Sequence, residues 1–235
     1  MENKKIPARE MPDTEKIEYA EENSPFVDIA KYSNGKILVD MQYVKGGRRG
    51  AIAAAYLRKE AADRLLQALE FLPAGYTFKI FDAWRPYEVQ KSLYDEYFEK
   101  LKAESPALTE EELHRRARTF VSFPDKTKKF AYVHSSGGAV DLTLVDEKGV
   151  DADMGTAFDD FSDLSSASAL EEIEGFGKAR ENRRTLYFAM IRAGFTNYPS
   201  EWWHYDFGDI FWAAATGFPV KYASVYTAEE MILGE

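Results

Sequence analysis

His134-Ser-Ser-Gly-Gly-Ala-Val-Asp-Leu-Thr-Leu-Val145 is the most informative segment of this 235-residue chain. Its two glycines indicate a tight, non-helical backbone directly after the histidine. The alternating residues 139–145 then predict a β-strand. On that strand the Asp141 side chain points to the face opposite that of Leu142, so it faces either solvent or a lined pocket. Taken alone, the segment also fits a surface carboxylate beside a histidine in a loop.

Patterns on both sides of this segment predict a mixture of helices and strands. Further strands are predicted over residues 37–43, 77–83 and 202–207, and helices over residues 58–72, 87–101, 109–118 and 180–193. These elements do not alternate as regular β-α-β units. The predicted fold class is therefore α+β, with a small, mostly antiparallel sheet flanked by helices.

Composition limits the classes of function. The chain has 30 basic and 40 acidic side chains, which give a net charge of −10 and disfavour nucleic acid as a partner. With 45% hydrophobic residues it can bury a core, but its apolar runs are too short for a membrane helix. The absence of cysteine excludes disulfides and thiol chemistry. A transition-metal site would therefore draw on carboxylates and on three histidines, His114, His134 and His204.

The charge pattern also predicts the domain organisation. Residues 1–25 are highly charged and form a polar, flexible leader, whereas residues 26–235 form a single domain. Because the leader lacks the apolar region of a secretion signal, a cytoplasmic location is expected. A periplasmic or extracellular location is the alternative, if a signal has been removed.

Two further motifs carry candidate chemistry. Glu201-Trp-Trp-His204 can place both polar side chains in one site only if the chain is irregular at residue 201, and Pro199-Ser200 permits this. By itself the motif also fits an aromatic strand edge. Asp82-Ala-Trp-Arg85-Pro86 follows a strand, where an arginine can extend into a cleft or form a surface ion pair with Asp82.

Together, these motifs predict a metal site. His134, Asp141 and His204 form a two-histidine, one-carboxylate set that suits a catalytic zinc ion with one position open for water. Glu201 is then a carboxylate placed to act as general base. His114 lies on a charged helix and is interpreted as an ordinary surface histidine.

The motifs resemble those of the D-alanyl-D-alanine dipeptidases of the VanX type. Residues 134–141 match the pattern H-x-x-G-x-A-x-D, and residues 201–204 match E-x-x-H. Residues 82–86, 154–159 and 40–43 are similar to three further family segments, and all five occur in family order. The resemblance implies the DD-peptidase/hedgehog type of α+β fold and a zinc-dependent dipeptidase that hydrolyses D-Ala-D-Ala or a close analogue.

Roles for individual residues follow from the resemblance. His134, Asp141 and His204 would bind one Zn²⁺ per chain, Glu201 would activate water, and Arg85 would steady the charge on the scissile carbonyl oxygen. The implied partner is a small dipeptide.

The dipeptide itself would be bound by Asp159, Tyr43 and Asp82. Tyr132 departs from the family pattern, which often has serine there, and this puts the preferred dipeptide in doubt more than the chemistry. Two other functions remain open: a zinc D,D-carboxypeptidase or endopeptidase acting on peptidoglycan stem peptides, and a non-catalytic zinc-binding module. The sequence leaves the oligomeric state open.

Overall fold

The computed structural model describes residues 4–11, 13–14, 17–20, 22, 24–127, 132–160 and 162–233. In chain order these form β1 (Phe26–Asp28), α1 (Ile29–Tyr32), β2 (Leu38–Val39), α2 (Gln42–Lys45), β3 (Tyr56–Arg58), α3 (Lys59–Leu69), β4 (Tyr76–Asp82), α4 (Tyr87–Glu104), α5 (Glu110–Phe120), β5 (Val140–Asp146), α6 (Gly177–Arg192), β6 (Thr196–Asn197), β7 (His204–Asp206), α7 (Ile210–Thr216) and α8 (Ala228–Leu233). Among the described helices, none is both long and apolar enough to cross a bilayer.

A five-stranded sheet in the order β2-β4-β5-β7-β6 organises the molecule. Of its four pairings only β2 with β4 is parallel. Strands β1 and β3 form a separate antiparallel pair. Helices lie around this mostly antiparallel sheet, so the predicted α+β fold class is confirmed.

The register of the three central strands places polar residues in a row. Asp141 of β5 lies opposite His204 of β7 on one side and opposite Asp82 of β4 on the other. The pairing of β4 with β5 shifts between Ile80 and Asp82, an irregularity that can redirect side chains at a strand end. Directly opposed residues on neighbouring strands lie close enough for their side chains to interact.

The opposite face of the sheet packs into the main core. Leu142 and Leu144 of β5 share a buried cluster with Leu65 of α3 and Leu186 of α6, and all four are fully buried. Burying each such side chain contributes about 1.5–3 kcal/mol to folding. Because residues alternate along a strand, this packing turns Asp141 to the other face.

Helices α4 and α5 form a hairpin with a small core of its own. Tyr94, Ala117 and Val121 are buried there, apart from the main cluster. The predicted capping box at the start of α5 is present, since Thr109 and Glu112 exchange hydrogen bonds between side chain and backbone. We refer to residues 87–120 as the α4–α5 hairpin.

The strand predicted over residues 37–43 is mostly wrong. Only Leu38 and Val39 pair with β4, and the chain then turns into α2. The Gln42 side chain donates to the Asp40 carbonyl at 2.7 Å, a local bond that competes with strand pairing. This turn carries Tyr43 towards the middle strands.

The leader predicted over residues 1–25 lies partly outside the described residues, at positions 1–3, 12, 15, 16, 21 and 23. Its described parts contact the domain, in contrast to the flexibility that its composition suggests. Ile6 is buried against Ala167 and Tyr187, and its backbone N–H donates to Glu171 Oε1 at 2.8 Å. Backbone hydrogen bonds from Ala20 and Glu22 to Val220 and Lys221 add to this contact.

Candidate active site

The backbone around His134 is set by close packing at two glycines. His134 lies in a single 3-10 turn, Val133–Ser136, which ends at Gly137 in the left-handed region. A Cβ atom at Gly138 would lie 2.1 Å from the Phe207 carbonyl oxygen, so a larger residue would push β7 away. The glycines therefore bring the histidine turn against β7.

Hydrogen bonds determine which ring nitrogens face inward. His134 Nδ1 lies 2.7 Å from the Ala83 carbonyl oxygen and so donates to it, which leaves Nε2 as the free acceptor. His204 Nε2 lies 2.7 Å from Asp206 Oδ1, which leaves Nδ1 facing the cluster. Outer contacts of this kind fix the tautomer and orientation of metal-binding histidines.

The inward nitrogens converge on one carboxylate. His204 Nδ1 lies 2.9 Å from Asp141 Oδ1, and His134 Nε2 lies 3.3 Å from Asp141 Oδ2. The two nitrogens are 3.2 Å apart. Burial favours a raised pKa for Asp141, but the adjacent imidazoles hold this pKa well below its usual range.

This donor set fits a metal ion. One ligand atom from each of His134, Asp141 and His204 lies within 4.8 Å of the others, and all three residues are buried. Two imidazole nitrogens and a carboxylate oxygen leave one position open on a four-coordinate zinc, as in catalytic sites. The structure thus brings together the three residues predicted as ligands.

Glu201 lies beside this cluster on an irregular turn, as the spacing required. Its backbone N–H donates to the Tyr198 carbonyl at 3.0 Å, so β7 begins only at His204. Its Oε2 lies 3.9 Å from His204 Nδ1. Burial raises the pKa of Glu201 to about 8, against the opposing effect of His204 and with a further rise from Asp141.

Arg85 is held rigidly at the end of β4. Its Nε donates to Asp82 Oδ2 at 2.6 Å and its Nη1 to Gln90 Oε1 at 2.7 Å. Its Nη2 lies 3.4 Å from the Tyr43 hydroxyl and 3.5 Å from Asp141 Oδ2. The ion pair with Asp82 therefore exists, but it is buried and not a surface pair.

Asp159 faces the same site from an unusual backbone conformation. Its φ of 57° is one of two positive values at non-glycine residues in the described chain. The Tyr43 hydroxyl donates to Asp159 Oδ2 at 3.0 Å, and Phe158 packs on Phe81. Burial, reinforced by Asp141, raises the pKa of Asp159 to about 7. The positive φ of Asp159 is a strained conformation, which persists only where the surrounding packing holds it and often marks a functional position.

These groups open into one cavity of about 350 Å³. This size suits a small ligand. Its lining includes the predicted residues Tyr43, Arg85, His134, Asp141, Asp159, Glu201 and His204. Asp82 is not part of this lining in the described chain; it lies behind Arg85, with its Oδ2 3.6 Å from His134 Nδ1. Asp82 therefore contacts Arg85 and His134, and its predicted contact with substrate stays a prediction.

His114 lies outside the metal cluster, on the partly exposed face of α5. It is half-buried, and its ring stacks on Phe98 with centroids 4.4 Å apart. Its Nδ1 lies 2.7 Å from the Tyr94 hydroxyl. The histidine is part of the α4–α5 hairpin because this face of α5 packs on α4, which the charged sequence of α5 concealed.

Sequence reasoning missed two residues that position this site. Gln90 bridges Arg85 and the Ser122 carbonyl, to which its Nε2 donates at 2.7 Å. Asp206 orients His204. A strand period of two places Asp206 on the face of His204 and could have identified it. No comparable sequence pattern identifies Gln90 as a positioning residue.

The buried His/Asp/His cluster, with a glutamate and a fixed arginine beside it, has the groups that a metal-dependent hydrolase uses. The profile of the peptidase M15 family, described as D-Ala-D-Ala dipeptidase, matches residues 47–224. The chain belongs to this family.

Two D-alanyl-D-alanine dipeptidases agree with this assignment. The chain is 30% identical over 175 residues to a D-alanyl-D-alanine dipeptidase of Synechocystis sp., covering 67% of this chain and 71% of that protein. It is 28% identical to one of Escherichia coli, covering 66% and 67%. A mutant of the vancomycin-resistance D,D-pentapeptidase VanY in complex with Zn(II) is a solved structure similar to it, with 19% identity and a TM-score of 0.44 over 77% of this chain and 86% of that one.

Proposed function

We propose that this metallopeptidase is a zinc dipeptidase that hydrolyses D-Ala-D-Ala or a closely related dipeptide. The names of its relatives support this substrate. The observation that carries the proposal is the convergence of a His/Asp/His cluster with Glu201 and Arg85 in a single cavity. A purely structural zinc site would need neither a spare carboxylate nor a fixed guanidinium.

One zinc ion would be held by His134 Nε2, His204 Nδ1 and a carboxylate oxygen of Asp141. When bound, zinc supplies a Lewis acid that polarises the substrate carbonyl and acidifies water. The Ala83 carbonyl and the Asp206 carboxylate keep both rings in the orientation that this binding needs.

Glu201 is proposed as the general base. It accepts a proton from the attacking water at a carboxylate oxygen and delivers it to the nitrogen of the leaving residue. This role requires the ionised form, whereas burial raises its pKa to about 8. A cation bound at the adjacent cluster would oppose that rise, because positive charge favours the carboxylate.

Arg85 is proposed to stabilise the negative charge that develops on the scissile carbonyl oxygen. Asp82 and Gln90 already hold two of its three nitrogens, so little reorganisation is needed during the reaction. Its Nη2 remains directed towards Tyr43 and Asp141, where the substrate would enter.

Asp159 and Tyr43 are proposed to bind the free N-terminus of the dipeptide. A carboxylate held by a tyrosine hydroxyl can accept hydrogen bonds from an ammonium group, and burial strengthens such a contact. If Asp159 binds the substrate ammonium group, the scissile bond lies one residue from that ammonium group. The enzyme would then read its substrate from the N-terminal end.

The test compares free and blocked substrates with the purified, zinc-loaded protein. D-Ala-D-Ala should be cleaved at least ~10²-fold faster than N-acetyl-D-Ala-D-Ala or a D-Ala-D-Ala-terminated pentapeptide, since an uncharged terminus leaves Asp159 unpaired at a cost of a few kcal/mol. Asp159→Asn should narrow this gap. Comparable kcat/KM values for the free and acetylated dipeptides would refute the dipeptidase proposal and favour a carboxypeptidase.

A further inference from the structure

One face of α4 follows the cavity well beyond the catalytic groups. Gln90, Leu93, Tyr97 and Lys100 all line it, with the spacing of neighbours on a single helix face. At 1.5 Å per residue, the separation from Gln90 to Lys100 corresponds to roughly 15 Å. A dipeptide spans at most ~7 Å when extended. The cavity is thus longer than the substrate proposed for it.

The two ends of this cavity can be told apart. Gln90 marks the inner end because it accepts a hydrogen bond from Arg85 at 2.7 Å. Lys100 marks the outer end, since α4 leads from one to the other. Arg118 of α5 also lines the cavity on the side of the α4–α5 hairpin, close to the hydroxyl of Tyr94.

The two ends differ in the charged groups that line them. Asp141, Asp159 and Glu201 line the inner end, with Arg85 as its cation.

The outer end is lined by Arg48, Glu96, Lys100 and Arg118, a net charge of +2 in a chain of −10. Arg48 Nη1 is bound to Glu96 Oε2 at 2.8 Å. Within the described residues, Lys100 and Arg118 form no ion pair, and the Arg118 guanidinium lies over the Phe123 ring. These two cations are therefore available to an anionic ligand.

We propose that the outer end is a subsite for a carboxylate on the leaving side of the scissile bond, beyond the space that a C-terminal alanine fills. This inference rests on the proposed function: with the substrate ammonium at Asp159, the leaving residue points outward along α4. The carboxylate can come from the side chain of an acidic C-terminal residue or from the C-terminus of a tripeptide. In both cases Arg118 and Lys100 bind it.

Two substrate pairs test the subsite and separate these sources. In zinc-loaded enzyme, kcat/KM is measured for D-Ala-D-Glu against D-Ala-D-Gln, and for D-Ala-D-Ala-D-Ala against its C-terminal amide. Each pair differs in charge but hardly in shape. We expect a preference for the acid of at least threefold in one pair, decreasing at high salt, because exposed charge pairs are weak and screened. A preference in the D-Ala-D-Glu pair assigns the carboxylate to a side chain. A preference in the tripeptide pair assigns it to the C-terminus.

Variants then assign the preference to residues. The double substitution Lys100→Gln with Arg118→Gln should bring the acid-to-amide ratio close to one. Its matched control is Lys102→Gln with Arg116→Gln, which removes the same charge from exposed positions of the same helices and should leave the ratio unchanged.

The outcomes distinguish this inference from the proposed function. A wild-type ratio near one in both pairs, or a ratio that survives in the Lys100/Arg118 double variant, overturns the subsite while D-Ala-D-Ala hydrolysis stands. Failure of the zinc-loaded enzyme to cleave D-Ala-D-Ala overturns both.

Discussion

The inner and outer ends of the cavity are built on different principles. At the inner end, the side chains of Arg85, His134, Asp141 and His204 are buried, and each is fixed by contacts to neighbouring groups. The outer end relies on exposed cations of the α4–α5 hairpin, which has a separate small core. Catalysis depends on groups fixed to within fractions of an ångström, whereas exposed charges can select among ligands. The proposed chemistry thus lies at one end of the sheet, and the proposed selectivity for an anionic leaving group lies at the hairpin.

The largest effect at the inner end is expected for Glu201→Gln. The amide is nearly isosteric but cannot accept the proton, so kcat should fall by about 10²–10⁴ while bound zinc is retained. Steady-state kinetics and metal analysis of the same preparation check this. Retention of more than a tenth of the wild-type kcat would require a different base.

Arg85→Ala should lower kcat by about 10²–10³, with a smaller rise in KM, because the contact strengthens in the transition state. Measurement of kcat and KM separately is decisive here. If KM alone rises, Arg85 binds the substrate carboxylate and has no transition-state role.

Gln90 links Arg85 at the inner end to the Ser122 carbonyl that follows α5, and its substitution sharpens the comparison. Gln90→Leu removes one fixed partner of Arg85 and should reduce kcat about tenfold, with little change in KM.

Gln90→Glu keeps the acceptor for Arg85 but loses the donor to the Ser122 carbonyl, so it should restore part of this kcat. A merely structural role would instead show equal losses in both variants, accompanied by a lower melting temperature.

The smallest effect is expected in the hairpin. Thr109→Ala removes the capping box of α5 and should destabilise this helix by about 1 kcal/mol. Hydrogen exchange of the α5 amides should increase, with zinc binding and D-Ala-D-Ala turnover unchanged. A loss of zinc affinity would show that the two regions are coupled.

The sequence allowed good prediction of the sheet and the inner end. Residues 139–145 and 77–83 alternate or are β-rich, and both formed central strands. The structure brings together His134, Asp141, Glu201 and His204, which the sequence singles out because each of their two motifs is local and chemically distinctive.

Features that depend on tertiary contacts were not predictable. Tyr43 lies on a helix where a strand was expected. The edge strand ends at Val39, and the Gln42 side chain then bonds the Asp40 carbonyl in place of strand pairing. Gln90 has a partner that only the packing of α4 against Arg85 reveals. His114 and Ile6 lie in charged segments whose composition conceals the ring stacking of His114 and the burial of Ile6.

Zinc stoichiometry tests the central claim most directly, namely that the sheet-end cluster is the metal site. Native mass spectrometry should find one zinc per chain in the wild type and in His114→Ala, which removes the one histidine outside the cluster. His204→Ala should bind none under the same conditions. Full zinc occupancy in His204→Ala would contradict the account.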